Sequence, residues 1–215
     1  MDPLTFDADS PLRPTSRIGD PTWEMTLFFP RQGEWTEADY LSLGTNWMIE
    51  YSDGCLEVLP MPTLLHQLIV EFLHTKLKAF IEAHGIPGRA LFAPLPIRLW
   101  PKKYREPDVV FLRPERLRNL GGQPEGADVV MEVVSEGTEN RQRDLEIKPQ
   151  EYAAAGILEY WTVDPARQQV SVLTLNGNEY RSHGAFGRGE LATSVFFPGF
   201  AIDVNEIFDI GESIK

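Results

Sequence analysis

Apolar residues recur at three- and four-residue steps between Leu64 and His84, at Leu65, Ile69, Phe72, Leu73, Leu77, Phe80 and Ile81. That period predicts an amphipathic helix, with Thr63 able to cap its start and Gly85 to stop it. Before it, Trp47–Tyr51 and Cys55–Leu59 flank Ser52-Asp53-Gly54, a hairpin pattern in which Asp-Gly accepts the positive φ of a tight turn. A short helix is expected over Trp35–Leu43, capped by Thr36. After the long helix come β-type runs at Ala90–Trp100 (broken by Pro94 and Pro96), Asp108–Leu112 and Asp128–Val134, with a Gly/Pro-rich loop at Asn119–Gly126 before the last. A helix over Glu151–Ala155 should end at Gly156. Strands are expected at Glu159–Val163, Val170–Leu175 and Glu179–Ser182, the last two joined by Asn176-Gly177-Asn178, and an Asp203-capped turn at Val204–Phe208 closes the pattern. Hairpin, helix, strands, helix, strands reads as an α/β fold, one mixed sheet flanked by helices. Residues 1–22, rich in Pro, Asp, Ser and Arg, read as an arm, and 23–215 as a single domain.

Two polar residues interrupt the strand pattern. In Asp128-Val-Val-Met-Glu-Val-Val-Ser, apolar residues occupy both faces, the mark of a strand covered on both sides. Val130, Glu132 and Val134 share one face, so Glu132 sits on a surface that should be buried. A buried carboxylate requires a positive partner; a buried arginine would be a purely structural answer. Pro107-Asp108 repeats the anomaly at the start of the preceding strand. Two carboxylates on neighbouring strands repel unless a cation joins them, and Mg²⁺ (or Mn²⁺) suits hard oxygen ligands supplemented by water and phosphate. His66 lies near the first turn of the long helix, where a histidine is usually a packing or capping residue. Tyr160, Trp161, Trp47, Phe72 and Phe80 read as core.

Charge sharpens the picture without deciding it. The 215 residues carry a formal charge of −12, which argues against a phosphate-rich partner. Arg98–Lys148 is nevertheless neutral, with ten basic and ten acidic residues, while the remainder has ten basic and 22 acidic. Arg98, Lys102, Lys103, Arg105, Arg113, Arg116 and Arg118 are either solvated loop charges or a basic rim around an acidic centre. Cys55 is the single cysteine, no signal sequence is legible, and no apolar run reaches the roughly 20 residues that span a bilayer. A cytoplasmic protein without a membrane partner is the expectation.

Pro107-Asp108, Glu132 on the next strand and a basic residue after it resemble the core of the PD-(D/E)XK nuclease superfamily. More closely, Glu132-Val-Val-Ser135, Asp144-x-x-x-Lys148, Tyr152-x-x-x-Gly156 and Glu159-Tyr-Trp-x-Val-Asp164 resemble the Uma-type putative restriction endonucleases. The likeness extends to Asp53-Gly54, His66-Gln67 and Phe197-Pro-Gly-Phe-x-Ile-Asp203, over about residues 35–208. It implies a restriction-endonuclease-like fold and an endonuclease acting on nucleic acid, DNA first. It also implies a metal held by Asp108, Glu132 and the carbonyl of Val133, and a catalytic lysine. The superfamily's lysine position, two residues after the glutamate, holds Val134, so the resemblance moves that role to Lys148. Pro149 places Lys148 before the helix and not inside it, which works against stacking Asp144, Lys148 and Tyr152 on one face; Arg141 and Arg143 are substitutes. A module that binds nucleic acid or protein after losing catalysis is the alternative, favoured by the acidic charge and the displaced lysine. A homodimer would suit duplex cutting, though no segment of the sequence demonstrates one.

Overall fold

A computed structural model of the protein describes residues 29–44 and 48–211. The expected N-terminal arm and Trp47 lie outside the described residues. Helix α1 (Glu37–Leu41) starts where Thr36 accepts from the Asp39 amide at 3.1 Å while Asp39 accepts in return from the Thr36 amide at 3.0 Å. Strands β1 (Ile49–Ser52) and β2 (Cys55–Val58) form the expected hairpin around Asp53 and Gly54, both at positive φ. A side chain at Gly54 would also collide with the backbone of Gly33, so only glycine fits. The long helix α2 (Leu64–Ala83) is capped by Thr63, and its Ile69, Leu73, Leu77 and Ile81 are buried, as the periodicity requires.

The run Ala90–Trp100 does not make one strand. Pro94 and Pro96 supply no N–H to a ladder, and the chain divides into β3 (Arg89–Phe92) and β4 (Ile97–Trp100), which join different sheets. Then come β5 (Lys103–Arg105), β6 (Val109–Leu112) and β7 (Val129–Val133). The helical crossover consists of α3 (Thr138–Gln142), a π-helical segment (Arg143–Ile147) and α4 (Lys148–Ala154), ending at Gly156 with φ 76°. The remaining elements are β8 (Glu159–Asp164), β9 (Gln169–Asn176), β10 (Glu179–Phe186), the small pair β11 (Leu191–Thr193) and β12 (Ala201–Asp203), and α5 (Val204–Phe208).

The central sheet has the order β10-β9-β8-β7-β6-β3, antiparallel throughout except where the crossover makes β7 and β8 parallel. One face presents Val109, Phe111, Met131 and Trp161 to α2 and α5; the other presents Val110, Val130 and Tyr160 to Tyr152 and Ile157. A second sheet, β2-β1-β5-β4, packs its own tyrosines, Tyr51 and Tyr104, on Tyr40 of α1. Among the described residues no helix is long and apolar enough to cross a membrane.

The crossover corrects the expectation that helix begins only after Lys148. Lys148 is helical (φ −56°, ψ −41°), and its N–H reaches back five residues to the Arg143 carbonyl. A proline inside an α-helix clashes with the carbonyl four residues earlier. The widened π turn lies just before Pro149 and relieves that crowding, so helix continues from Thr138 to Ala154. Strand β5 is not among the expected runs: Lys103 and Arg105, expected as solvated loop charges or a basic rim, are both buried and paired with Glu151, and Arg105 also with Glu50 and Glu57.

Candidate active site

The register of β6 against β7, Val109 opposite Met131, continues to bring Asp108 opposite Glu132. Asp108 is tied to the neighbouring strand because its Oδ2 accepts the Val133 amide at 2.8 Å. Glu132 shares a face with Val130, as the alternation predicts, and is 2% exposed. Its partner is not an arginine. Lys148 Nζ donates to Glu132 Oε1 at 2.9 Å, and the Tyr152 hydroxyl donates to the same oxygen at 2.7 Å. Lys148 also lies 3.3 Å from Asp144 Oδ1 and 3.8 Å from Glu50 Oε1. Asp144, Lys148 and Tyr152 therefore stack on one face of the crossover helix, the arrangement that Pro149 argued against. With 3% of its surface exposed, Lys148 is not a solvated helix-start lysine.

The structure brings Asp108, Glu132, Val133 and Lys148 to the wall of one cavity of about 390 Å³. It adds residues that sequence reasoning left without a role there. His66 Nε2 is 3.3 Å from Asp108 Oδ2, while its buried Nδ1 has no partner among the described residues. Asp144 and Glu106 line the same space. The available signals were the four-residue spacing of Asp144 and Lys148, and Glu106 two residues before Asp108. His66 carried no local signal, because only the fold brings the start of α2 beside β6. Arg143 is held by Glu57 at 2.9 Å and Asp144 at 3.4 Å, and Arg141 by Asp164, so neither substitutes for Lys148. Five of the seven residues of the basic cluster are held in ion pairs: Lys103 and Arg105 as above, Arg98 with Glu37 and Glu125, and Arg113 and Arg116 with Asp128, while Lys102 and Arg118 are exposed.

Burial pushes the Glu132 carboxyl well above the ordinary carboxylate range despite the Lys148 ammonium, and the Asp108 and Asp144 carboxylates push the same way. Burial alone would lower Lys148, but the Glu132, Glu50 and Asp144 carboxylates reverse that and keep it charged. Burial and the nearby Glu50 push Glu106 up to about 7. His66 is raised: burial works against its charge, but the bond to Asp108 wins. The centre thus holds more negative charge than its buried cations offset, an environment that favours a bound cation.

The donor set fits Mg²⁺ or Mn²⁺. The bonds above engage Asp108 Oδ2 and Glu132 Oε1, leaving Asp108 Oδ1 and Glu132 Oε2 outside them. Among the described residues no three His, Cys, Asp or Glu side chains are arranged to hold a metal by themselves. Two carboxylates with free oxygens are the kind of donor set taken by an ion that keeps part of its hydration shell.

A family model described as "Uma2: Putative restriction endonuclease" matches residues 35–205. A similar solved structure is that of a putative nuclease belonging to DUF820 from Anabaena variabilis. It aligns with a TM-score of 0.66 and 19% identity, over 82% of this chain and 98% of that chain. The shared architecture is restriction-endonuclease-like. No curated protein matches the chain.

Proposed function

We propose, from the premise that this chain belongs to the Uma2 family of putative restriction endonucleases, that it is a metal-dependent endonuclease hydrolysing phosphodiester bonds in nucleic acid, with DNA the first polymer to test. The observation that supports this most directly is the convergence of Asp108, Glu132 and the buried Lys148 on one cavity. Three elements that meet only in the folded chain supply them: the start of β6, the middle of β7 and the crossover helix.

In this reading Asp108, Glu132 and the Val133 carbonyl hold Mg²⁺ or Mn²⁺. When bound, the ion supplies Lewis-acid polarisation of the scissile phosphate and a more acidic water. The remaining work falls to the protein. Lys148 stays an ammonium, so it serves as a fixed positive donor toward water or phosphate oxygen and not as a base. Tyr152 and Asp144 hold Glu132 and Lys148 in place from the same helix. His66 braces Asp108 from α2.

The test is cleavage of supercoiled plasmid, single-stranded DNA and RNA with Mg²⁺, Mn²⁺ or EDTA. Metal-dependent cutting should fall by about 10²–10³ in Asp108→Ala, Glu132→Ala and Lys148→Ala. The second reading, a binding module without turnover, retains one motive, the −12 charge. It predicts a folded protein that cuts nothing and shows no calorimetric Mg²⁺ or Mn²⁺ binding.

A further inference from the structure

Beside the cavity that holds the carboxylates lies a second, of about 580 Å³, within the range of small-molecule sites. The two share Met48, Leu59, Pro60, Met61, Pro62 and Asp108 in their linings, so they adjoin at these residues, with Asp108 common to both. Among the described residues, and apart from Asp108, the second cavity has a single side chain with strong hydrogen-bonding groups, the exposed amide of Gln67. Its other walls are apolar, and two of them, Met61 and Val58, stand 83% and 52% exposed. Large apolar side chains left in water at the mouth of a polar site mark a surface that meets a ligand.

Charge narrows the ligand. Among the described residues, three side chains with permanent positive charge line the two cavities, and all are paired: Arg141 with Asp164, Arg143 with Glu57 and Asp144, and Lys148 with Glu132 and Asp144. Five carboxylates line the same space: Glu106, Asp108, Glu132, Glu136 and Asp144. Duplex binding draws most of its affinity from Lys and Arg neutralising a dense phosphate array, and these walls offer little of that. Affinity then falls to the base faces and Watson–Crick edges, which an intact duplex hides in its stack and its pairs. Apolar walls with one amide suit a nucleobase face and its hydrogen-bonding edge.

We infer that the second cavity is a nucleobase subsite, and that the substrate presents an unpaired nucleotide beside the scissile phosphate, as a single strand or flap does. This rests on the nuclease reading for the position of the phosphate. The test is fluorescence anisotropy at one fixed salt concentration, in EDTA to prevent turnover, with a labelled single-stranded oligodeoxynucleotide and the blunt duplex of the same sequence. The double variant Met61→Ala/Gln67→Ala changes two exposed residues, and its fold is checked by circular dichroism. The wild type should bind the single strand about tenfold tighter than the duplex, and the variant should lose most of that preference with duplex binding unchanged.

Equal affinities, no binding of the single strand, or a variant that binds it like wild type would overturn the inference. So would sedimentation showing a wild-type dimer that the variant converts to monomer, because a second copy would then cover the cavity. Parallel cleavage assays with Mn²⁺ separate the two readings. Single-strand preference lost in the variant, without cutting of any polymer, removes the nuclease and leaves the subsite. Cutting that favours duplex removes the subsite and leaves the nuclease.

Discussion

Two glutamates on adjacent parallel strands of one sheet have opposite characters. Glu159 on β8 pairs in register with Val129 on β7, and Glu132 on β7 pairs with Thr162, three positions along, so the two carboxylates face opposite sides. Both are almost fully buried. Glu159 accepts from four neutral donors: Trp161 Nε1 at 2.7 Å, the Ser194 hydroxyl at 2.6 Å, and the amides of Val195 and Phe196 at 2.7 and 2.8 Å. It staples the loop between β11 and β12 to the sheet. Glu132 instead meets an ammonium and a phenol at the wall of an open cavity, with three more carboxylates close to its lysine or its strand. Burial of a carboxylate therefore does not mark a site. A site is marked when the partners are charged, too few for the acids present, and open to a ligand.

The largest effect expected from this contrast is on stability. Glu159→Ala leaves four donors without their acceptor, two of them fully buried, and should cost about 3–5 kcal/mol, lowering the melting temperature by roughly 10 °C. A melt unchanged within error would break the comparison. Glu132→Gln should do the reverse, holding the unfolding free energy within about 1 kcal/mol of wild type while cleavage drops by about 10²–10³. Next comes the response to metal. Mg²⁺ at 100 times its dissociation constant should stabilise the wild type by about 2.7 kcal/mol. Thermal melts of Asp108→Ala should lose that gain, because the variant removes a proposed ligand without touching Glu159.

The smallest effect is on acid stability, at the rim of the site. Asp164 sits below the ordinary carboxylate range because its bonds from Arg141 and from the Ala166 and Arg167 amides outweigh the opposing effect of burial. A carboxyl depressed in the folded state adds stability that is fully present above its unfolded value near ~3.9 and is lost as pH falls through the folded one. Arg141→Ala should therefore reduce the difference in denaturant midpoint between pH 6 and pH 3. An unchanged difference would mean that the amides alone hold Asp164.

Much of this molecule was legible as local pattern. The helix from Leu64, the Asp53-Gly54 hairpin, the buried strands carrying Asp108 and Glu132, and the stop at Gly156 all follow from periodicity and turn chemistry, which act over a few residues. Pairing Asp108 with Glu132 also needed only neighbouring strands. The failures share one cause: they concern charged residues whose burial depends on partners far along the chain. Lys103 and Arg105 become strand because Glu50, Glu57 and Glu151 meet them. Residues 138–148 become helix although few apolar positions announce it, because that face buries Lys148 against Glu50 of β1 and Glu132 of β7, and Arg143 against Glu57 of β2, with Asp144 between the two cations.

The sequence by itself thus determined the elements and the two strand carboxylates, since propensity, alternation and capping are local. Only the tertiary structure decided that Lys148 reaches Glu132 through a proline-bearing helix, that His66 stands beside Asp108, and that five of the seven basic-cluster residues are held in ion pairs. Those outcomes depend on which distant charges meet in a low-dielectric interior, a property of the assembled fold and of no single segment.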